Sequence, residues 1–472
     1  MSEAPSRLLR GVALGAVALA AGCAVGPDYR RPGVPTPAAF SEAAPWKVAQ
    51  PKDALPKAGW WRVFNDPVLN GLESRAVAAS PTLRAALARY DEALAQARAS
   101  RAQLYPSLSL DPSASRSLYS SNRQTEFPAT RFAYTTNSFD LPLDLTYEVD
   151  LFGAARRSIE SARDLAEAQG ATYQNVLLTL EAGVAQNYFT LLSLDSQRDL
   201  LTRNIALLQD ALDLVQKLRK GGANSDLDVY QAETELETVE SSATATDRSI
   251  AEQQHALAVL VGENPEGFLV AAAPLNPQTP DIPVGLPSDL LERRPDVAAA
   301  ERTLASANAR IGVAKAAFFP SIGLTALAGA NSNDLNNLLT WSSREWAAGP
   351  MVTVPLFNGG ANLANYRQAK AAYDEAIADY RQQVLVAFQE VEDGLSDLRL
   401  LARQTDILTS AVASSGGATR LSIVRYKAGL VSYIEVIDSQ RTELESELSL
   451  TQARADRLSA TVQLVRALGG GW

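Results

Sequence analysis

Ser138-Phe139-Asp140-Leu141-Pro142-Leu143-Asp144-Leu145-Thr146-Tyr147-Glu148-Val149-Asp150 alternates without a break. Phe139, Leu141, Leu143, Leu145, Tyr147 and Val149 fall on one face, and Asp140, Asp144, Thr146, Glu148 and Asp150 on the other. A period of two is the mark of a strand. A strand this long, apolar on one side and acidic on the other, suits a transmembrane barrel with lipid outside and water inside. A soluble sandwich buried on the apolar side is the alternative. Upstream, Ser107–Leu118 sets Leu108 and Leu110 against Ser109 and Asp111, and is expected to be the hairpin partner.

Outward from this strand the period changes. Ala154 to Arg219 contains no proline, and its apolar residues recur at spacings of three and four, as in Leu201, Ile205, Leu208, Leu212, Val215 and Leu218. Sustained over heptads, that spacing predicts a long helix packed on other helices. At 1.5 Å per residue, roughly 66 residues span about 100 Å. Gly221-Gly222 then reverses the chain into a shorter helix, Ser225–Val261. Asp66-Pro67 and Ser80-Pro81 are helix starts, and Tyr105-Pro106 ends the helix that precedes the strands. The helices after Pro81 and Ser225, about 24 and about 37 residues, together match the length of the long one.

The same order then runs a second time. Tyr105-Pro106-Ser107-Leu108 returns as Phe319-Pro320-Ser321-Ile322, and Leu151-Phe152-Gly153 as Leu356-Phe357-Asn358-Gly359. Lys220-Gly221-Gly222 returns as Lys427-Ala428-Gly429. Strands are expected at Ser321–Ala330 and Trp346–Phe357, with Trp341 and Trp346 near the loop end where aromatic girdles sit. Long and short helices are expected at Ala361–Lys427 and Ser432–Leu468; Leu286-Pro287 and Arg294-Pro295 begin the helices before the strands. The fold expected is an α+β membrane protein, a duplicated strand–long helix unit. Its segments are 67–270 and 287–472, joined by a Pro-rich linker at 271–286. Four strands per chain cannot close a barrel, and a lipid-exposed sheet edge is forbidden, so an oligomer is required.

Composition narrows the function. A formal net charge of −10 over 472 residues, without blocks of charge, argues against a nucleic-acid partner. One Cys and one His cannot build a zinc site or an internal disulfide. His255 stands alone on a helical stretch, and neither a nucleophile–base pair nor a phosphate-binding Gly-rich loop accompanies it, so no catalytic or metal residue is assigned. The single Cys ends a different pattern. Arg7 and Arg10 precede an apolar run that closes on Leu19-Ala20-Ala21-Gly22-Cys23, which reads as an export signal over 1–22. That ending resembles a bacterial lipoprotein signal, implying diacylglycerol and N-acyl lipid on Cys23, and no other cofactor. Ala24 follows, not Asp, which favours the outer membrane. Residues 23–66 are Pro-rich and read as a tether lying along a surface.

Three motifs carry a wider resemblance. Cys23-Ala24-Val25-Gly26-Pro27-Asp28-Tyr29-Arg30-Arg31-Pro32, Trp60-Trp61-Arg62-Val63-Phe64-Asn65-Asp66-Pro67 and Leu286-Pro287-Ser288-Asp289-Leu290-Leu291-Glu292-Arg293-Arg294-Pro295-Asp296 closely resemble the NodT-type branch of the TolC-like outer membrane efflux lipoproteins. The resemblance implies a homotrimer: a 12-stranded outer membrane β-barrel continued by a long periplasmic α-helical barrel. It implies a passive exit duct for drugs or other small molecules, docked to a periplasmic adaptor and an inner membrane pump. A duct for type I protein secretion, or a periplasmic helical scaffold or adaptor lipoprotein without a pore, are the competing readings.

The helix tips are where such a tube would shut. Glu435 and Asp438, three apart on a helix, share a face and would form an acidic ring under threefold symmetry. By resemblance Asp438 matches the constriction aspartate, Ile434 the apolar residue one turn before it, Arg441 and Tyr426 closing contacts, and Asp228 a carboxylate that a closing Tyr engages. Val431 departs from relatives that carry a latching Arg there. The bland reading is a solvated helix face. Gly222-Ala223 and Gly429-Leu430 match adaptor-docking turns, and a plain glycine helix cap explains them too. Asp140, Asp144 and Glu148 face the expected lumen, either favouring cations or simply keeping it wet.

Overall fold

The computed structural model describes residues 24–35, 40–41, 59–122, 133–276, 280 and 293–470. Cys23, the signal, residues 36–39 and 42–58 of the tether, and the Leu286–Glu292 part of the linker motif lie outside them. Helices α1 (Pro67–Ala79) and α2 (Pro81–Arg101) lead to strands β1 (Ser107–Leu110), β2 (Ser113–Tyr119) and β3 (Tyr134–Val149). Then come α3 (Ala154–Lys220) and α4 (Asp226–Leu260). The order returns as α5 (Pro295–Ala316), β4 (Ser321–Ser332), β5 (Arg344–Thr353), α6 (Ala361–Lys427) and α7 (Tyr433–Ala467). Both long helices have 67 residues and both short ones 35. No helix among the described residues is long and apolar enough to cross a membrane.

The chain divides into two compact units, each drawing on both halves of the sequence: 1–32, 90–168 and 300–380 form one, and 33–89, 169–299 and 381–472 the other. The first unit holds the sheet, antiparallel in the order β1-β3-β4-β5 with β2 also on β3. The expected strand 107–118 is interrupted at Asp111-Pro112. The reason lies opposite. Pro142 has no N–H to donate, and its carbonyl, which accepts from Asp111 N at 3.2 Å, faces this break. The imino nitrogen faces the same side, so the missing ladder bond falls where the partner strand is already broken. On its other side Pro142 faces Gly329, where a Cβ would come within 2.5 Å of the Leu141 carbonyl oxygen.

Two strand ends also differ from expectation. Asp150 is not a face residue of β3; its carboxylate accepts from the N–H groups of Ala155 and Arg156 at 3.1 and 2.9 Å, capping the orphan donors of α3. β5 begins two residues early and stops at Thr353, leaving Val354, Leu356 and Phe357 exposed beyond the sheet. The start of the tether is more tightly held than a surface strap. Val25 N donates to the Phe152 carbonyl at 3.0 Å, Arg157 pairs with Asp28 at 2.7 Å, and Arg31 reaches Glu301 and the Tyr380 hydroxyl at 3.3 and 3.0 Å. Gly153 has φ +82°, and a Cβ there would lie 2.7 Å from Ala24 Cα.

The second unit holds the main apolar cluster, in which Trp60, Trp61 and Leu69 meet Leu191, Val261, Leu395 and Leu464. Asp66 caps α1 by accepting from Val68 and Leu69 N–H, as its place before Pro67 predicts, and also receives the Tyr188 hydroxyl at 2.9 Å. Arg294, from the linker motif, is buried; it pairs with Asp296 and Glu390 and donates to the Ala467 carbonyl at the end of α7. Two carboxyls, Glu73 and Glu181, are fully buried here. Glu181 accepts from Trp60 Nε1 at 3.0 Å, while neither oxygen of Glu73 has a partner.

Candidate functional site: the helix tips and the acidic sheet face

Each long helix ends in the same device. Gly222 and Gly429 take left-handed conformations, φ +78° and +71°, which let the next N–H groups turn back onto the last helical carbonyls. Ala223 N donates to Leu218 O, and Leu430 N to Arg425 O, both at 2.9 Å. Nothing lies near either missing Cβ, so these glycines are required by backbone conformation rather than by space. The helix-cap reading of these turns is therefore what the geometry shows. Around them Leu430 of the second turn is exposed, and so are Leu227 and Tyr230, which the turn motif alone did not single out.

In the second tip, Glu435 and Asp438 lie exposed on one face of α7, with Ile434 also exposed beside them. The opposite face is buried: Tyr433, Val436 and Ile437 join Val215 and Ala232 of the first hairpin in a small apolar cluster. That burial orients the carboxylates outward. Tyr426 packs on Tyr433 at 5.4 Å between ring centres. Burial pushes the Tyr433 phenol up to about 12, and its hydroxyl has no partner.

One expected pairing, Asp228 with a tyrosine, is not among the hydrogen bonds of the tip. Asp228 accepts instead from the Ser225 N–H and hydroxyl, both at 2.9 Å, while Ser225 accepts from Asp228 N. This capping box satisfies the first turn of α4 and leaves Asp228 little reason to reach across. Tyr426 instead accepts from Asn224 Nδ2 at 2.8 Å. Arg441 pairs with Glu235, whose side chain is only 7 % exposed. The hydrogen bond and charge of Glu235 raise the guanidinium further above its ordinary value. No spacing rule connects residues 206 apart, so Glu235 was invisible until α4 and α7 were seen side by side.

In the sheet, pairing registers put Asp140, Asp144 and Glu148 on one face with Ser109, Ser113, Thr325 and Asn331. Asp140 receives hydrogen bonds from Ser113, Ser138 and Asn331. Glu345 of β5 lies on the same face, paired with Gly329, and extends the acidic row beyond the three residues read from β3. Leu108, Leu143, Leu324, Trp346 and Val352 occupy the other face, and all are exposed. His255 is exposed on α4.

The outer membrane efflux protein model matches this chain twice, over residues 72–263 and 286–470. The chain belongs to the outer membrane efflux protein family. It is 33 % identical over 454 residues to the toluene efflux pump outer membrane protein TtgC of Pseudomonas putida, covering 96 % of this chain and 93 % of that one. The outer-membrane channel OprN superposes with a TM-score of 0.89 at 30 % identity, over 95 % of this chain and all of that one. The open state of the Neisseria gonorrhoeae MtrE outer membrane channel gives 0.82 at 30 % identity, over 95 % and 98 %. The fold is thus that of the TolC-like outer membrane channels, and this efflux family chain is an outer membrane protein.

Proposed function

We propose that this chain is the outer membrane exit duct of a tripartite efflux system, a passive channel and not an enzyme, taking small molecules from an adaptor and inner membrane pump. The observation that carries the reading is one sheet with an exposed apolar face, an acidic opposite face and two unpaired edges, attached to two helices of 67 residues. Lipid tolerates no open edge, so copies must join edge to edge. Three copies, the number the family resemblance implies, make twelve strands, β1 and β2 counting as one interrupted strand along β3, with Asp140, Asp144, Glu148 and Glu345 on the lumen. Repeats 67–270 and 287–472 are the duplicated units of this proposal.

Cys23 carries the lipid in this reading. Its neighbour Ala24 lies against Gly153, just past the end of β3, which supports acyl chains entering the membrane beside the barrel base. Glu435 and Asp438 form the closing ring, Ile434 lines it, and Arg441–Glu235 and Tyr426–Asn224 hold it in place. The tips at Gly222-Ala223 and Gly429-Leu430, with Leu227 and Tyr230, receive the adaptor. Planar bilayer recording of the purified protein tests the duct: no current under any condition overturns it. Glu435→Gln with Asp438→Asn is expected to raise conductance by about threefold or more, since a ring of like charges at a constriction controls passage. Unchanged conductance removes the gate assignment.

A further inference from the structure

On the apolar face of the sheet the described strands carry no acid, and their only charges are two arginines. The pairing registers put Arg116 of β2 and Arg344 of β5 on that face, with Leu108, Leu141, Ala330 and Trp346. Both arginines are exposed, and within one chain they stand at opposite edges of the sheet. An arginine facing lipid is costly at the middle of a bilayer and tolerated near its interface, so their height and their neighbours decide what they do.

The repeat shows what lies beside each edge once copies join. At the base of the sheet Phe152, after β3, stacks on Phe319, before β4, at 4.7 Å between ring centres, and Val149 pairs with Ile322. In the repeat Phe152 and Val149 correspond to Phe357 and Val354, and Phe319 and Ile322 to Tyr105 and Leu108. Phe357 and Tyr105 are 91 % and 62 % exposed, one at each free edge. Joined copies give each a ring to stack on, with β5 of one chain running along β1 and β2 of the next as β3 runs along β4. Carried over residue by residue, Val354 faces Leu108, Val352 faces Leu110 and Trp346 faces Arg116. β1 and β2 keep one register along β3, so the count runs through their break. The pairing keeps the apolar side chains of both chains on one side. Under threefold symmetry it tilts twelve strands by about 45°, as barrels require.

In this register Arg344 stands diagonally beside Arg116 of the next chain, roughly 7–8 Å away. Arg344 is already oriented: its Nε donates to the Trp341 carbonyl at 2.7 Å, and its guanidinium lies over the Trp341 ring. Arg116 is eight residues above Leu108, and Arg344 ten residues above Val354, counted toward the loops. At that tilt they rise about 19 and about 23 Å, near the top of an apolar band about 25 Å tall. Trp341 and Trp346, 78 % and 81 % exposed, lie at the same level, where aromatic belts meet headgroups. Two guanidiniums this close, with no acid on their face, repel one another until an anion sits between them. The outer leaflet of an outer membrane is built of a glycolipid with phosphates at its head and acyl chains below. A guanidinium donates two parallel N–H bonds to a phosphate, which an ammonium does not.

We propose that Arg344 of one chain and Arg116 of the next form a phosphate site for the outer-leaflet glycolipid, flanked by Trp341 and Trp346 at each boundary between chains. The site is incomplete in a single chain, and it rests on the reading of this protein as a barrel closed edge to edge.

Cross-linking tests the register. Leu110→Cys with Val352→Cys puts one thiol on each edge of the sheet, so a disulfide forms only between chains. Oxidation is expected to give linked dimers and trimers on non-reducing gels. No linkage, or an equal yield from Leu108→Cys with Val352→Cys, overturns the register and the site with it.

Native mass spectrometry of the detergent-purified particle, with lipopolysaccharide as the probe, reads the site itself. Retention of the glycolipid is expected to fall on the order of tenfold in Arg116→Gln, in Arg344→Gln, and when the parent chain is given lipopolysaccharide stripped of its phosphates. Arg248→Gln, on α4 and away from the sheet, should retain it as the parent does. Retention indifferent to the two arginines or to the phosphates, or lost equally in Arg248→Gln, overturns the site. The phosphate-free arm uses the parent chain, so it decides the matter even where a variant does not assemble. Inorganic phosphate separates a lipid from a free ion: if it raises the melting temperature of the parent but not of Arg116→Gln, the ligand is the free anion and the lipid assignment fails. A particle that is not a trimer overturns edge-to-edge closure, whereas a trimer that retains no glycolipid overturns the site alone.

Discussion

Glu73 and Glu181 are placed where a carboxylate is costly, inside the main apolar cluster of the second unit. Burial, with the nearby Glu181 charge, pushes Glu73 up to about 10, and burial pushes Glu181 up to about 7 against the Trp60 hydrogen bond. The folded chain therefore holds protons that the unfolded chain releases above the ordinary value of 4.5. The stability this contributes is complete below that value and is lost as pH rises, through about 7 for Glu181 and on toward 10 for Glu73. The slope is roughly 1 kcal/mol per pH unit per group. Asp296, held low by Arg294, acts oppositely and loses its contribution only in strong acid. Melting temperature in detergent is expected to fall from about pH 5 to pH 8. Glu73→Gln should flatten that fall; an unaltered slope would show that Glu73 does not hold the proton. At the same scale, Cys23→Ser is expected to abolish incorporation of labelled fatty acid, and persistent labelling would refute the anchor.

At the scale of elements, the helices were the readable part. α3 and α6 are long because proline is absent and the apolar spacing never lapses, both local properties of the chain. Strand limits were less readable. Alternation continues through Asp150, yet that carboxylate is claimed by the first N–H groups of α3, because a helix terminus offers unsatisfied donors and a strand end does not. Asp228 is a second such case. Its capping role predicts that Asp228→Ala costs about 1 kcal/mol through the start of α4. A double-mutant cycle of Asp228→Ala with Tyr426→Phe should show coupling below about 0.5 kcal/mol, since neither hydrogen-bonds the other. Larger coupling would restore the expected tyrosine contact and remove the capping account.

For the whole molecule, β3 and β4 pair over eleven residues, joining the two halves of the sequence in one sheet and leaving β1, β2 and β5 at its edges. The edges predict the assembly. Native mass spectrometry from detergent should give three chains per particle, and a monomeric particle that conducts would overturn edge-to-edge closure. The sequence by itself determined the duplicated element order, the helix lengths, the acidic and apolar strand faces and the family, because periodicity, proline and glycine act within a few residues of where they stand. Only the tertiary structure decided that β3 pairs with β4 and that Arg441 meets Glu235. Those are pairings between residues distant in the chain, and they are chosen by the shape and burial of surfaces that exist only once the elements have packed.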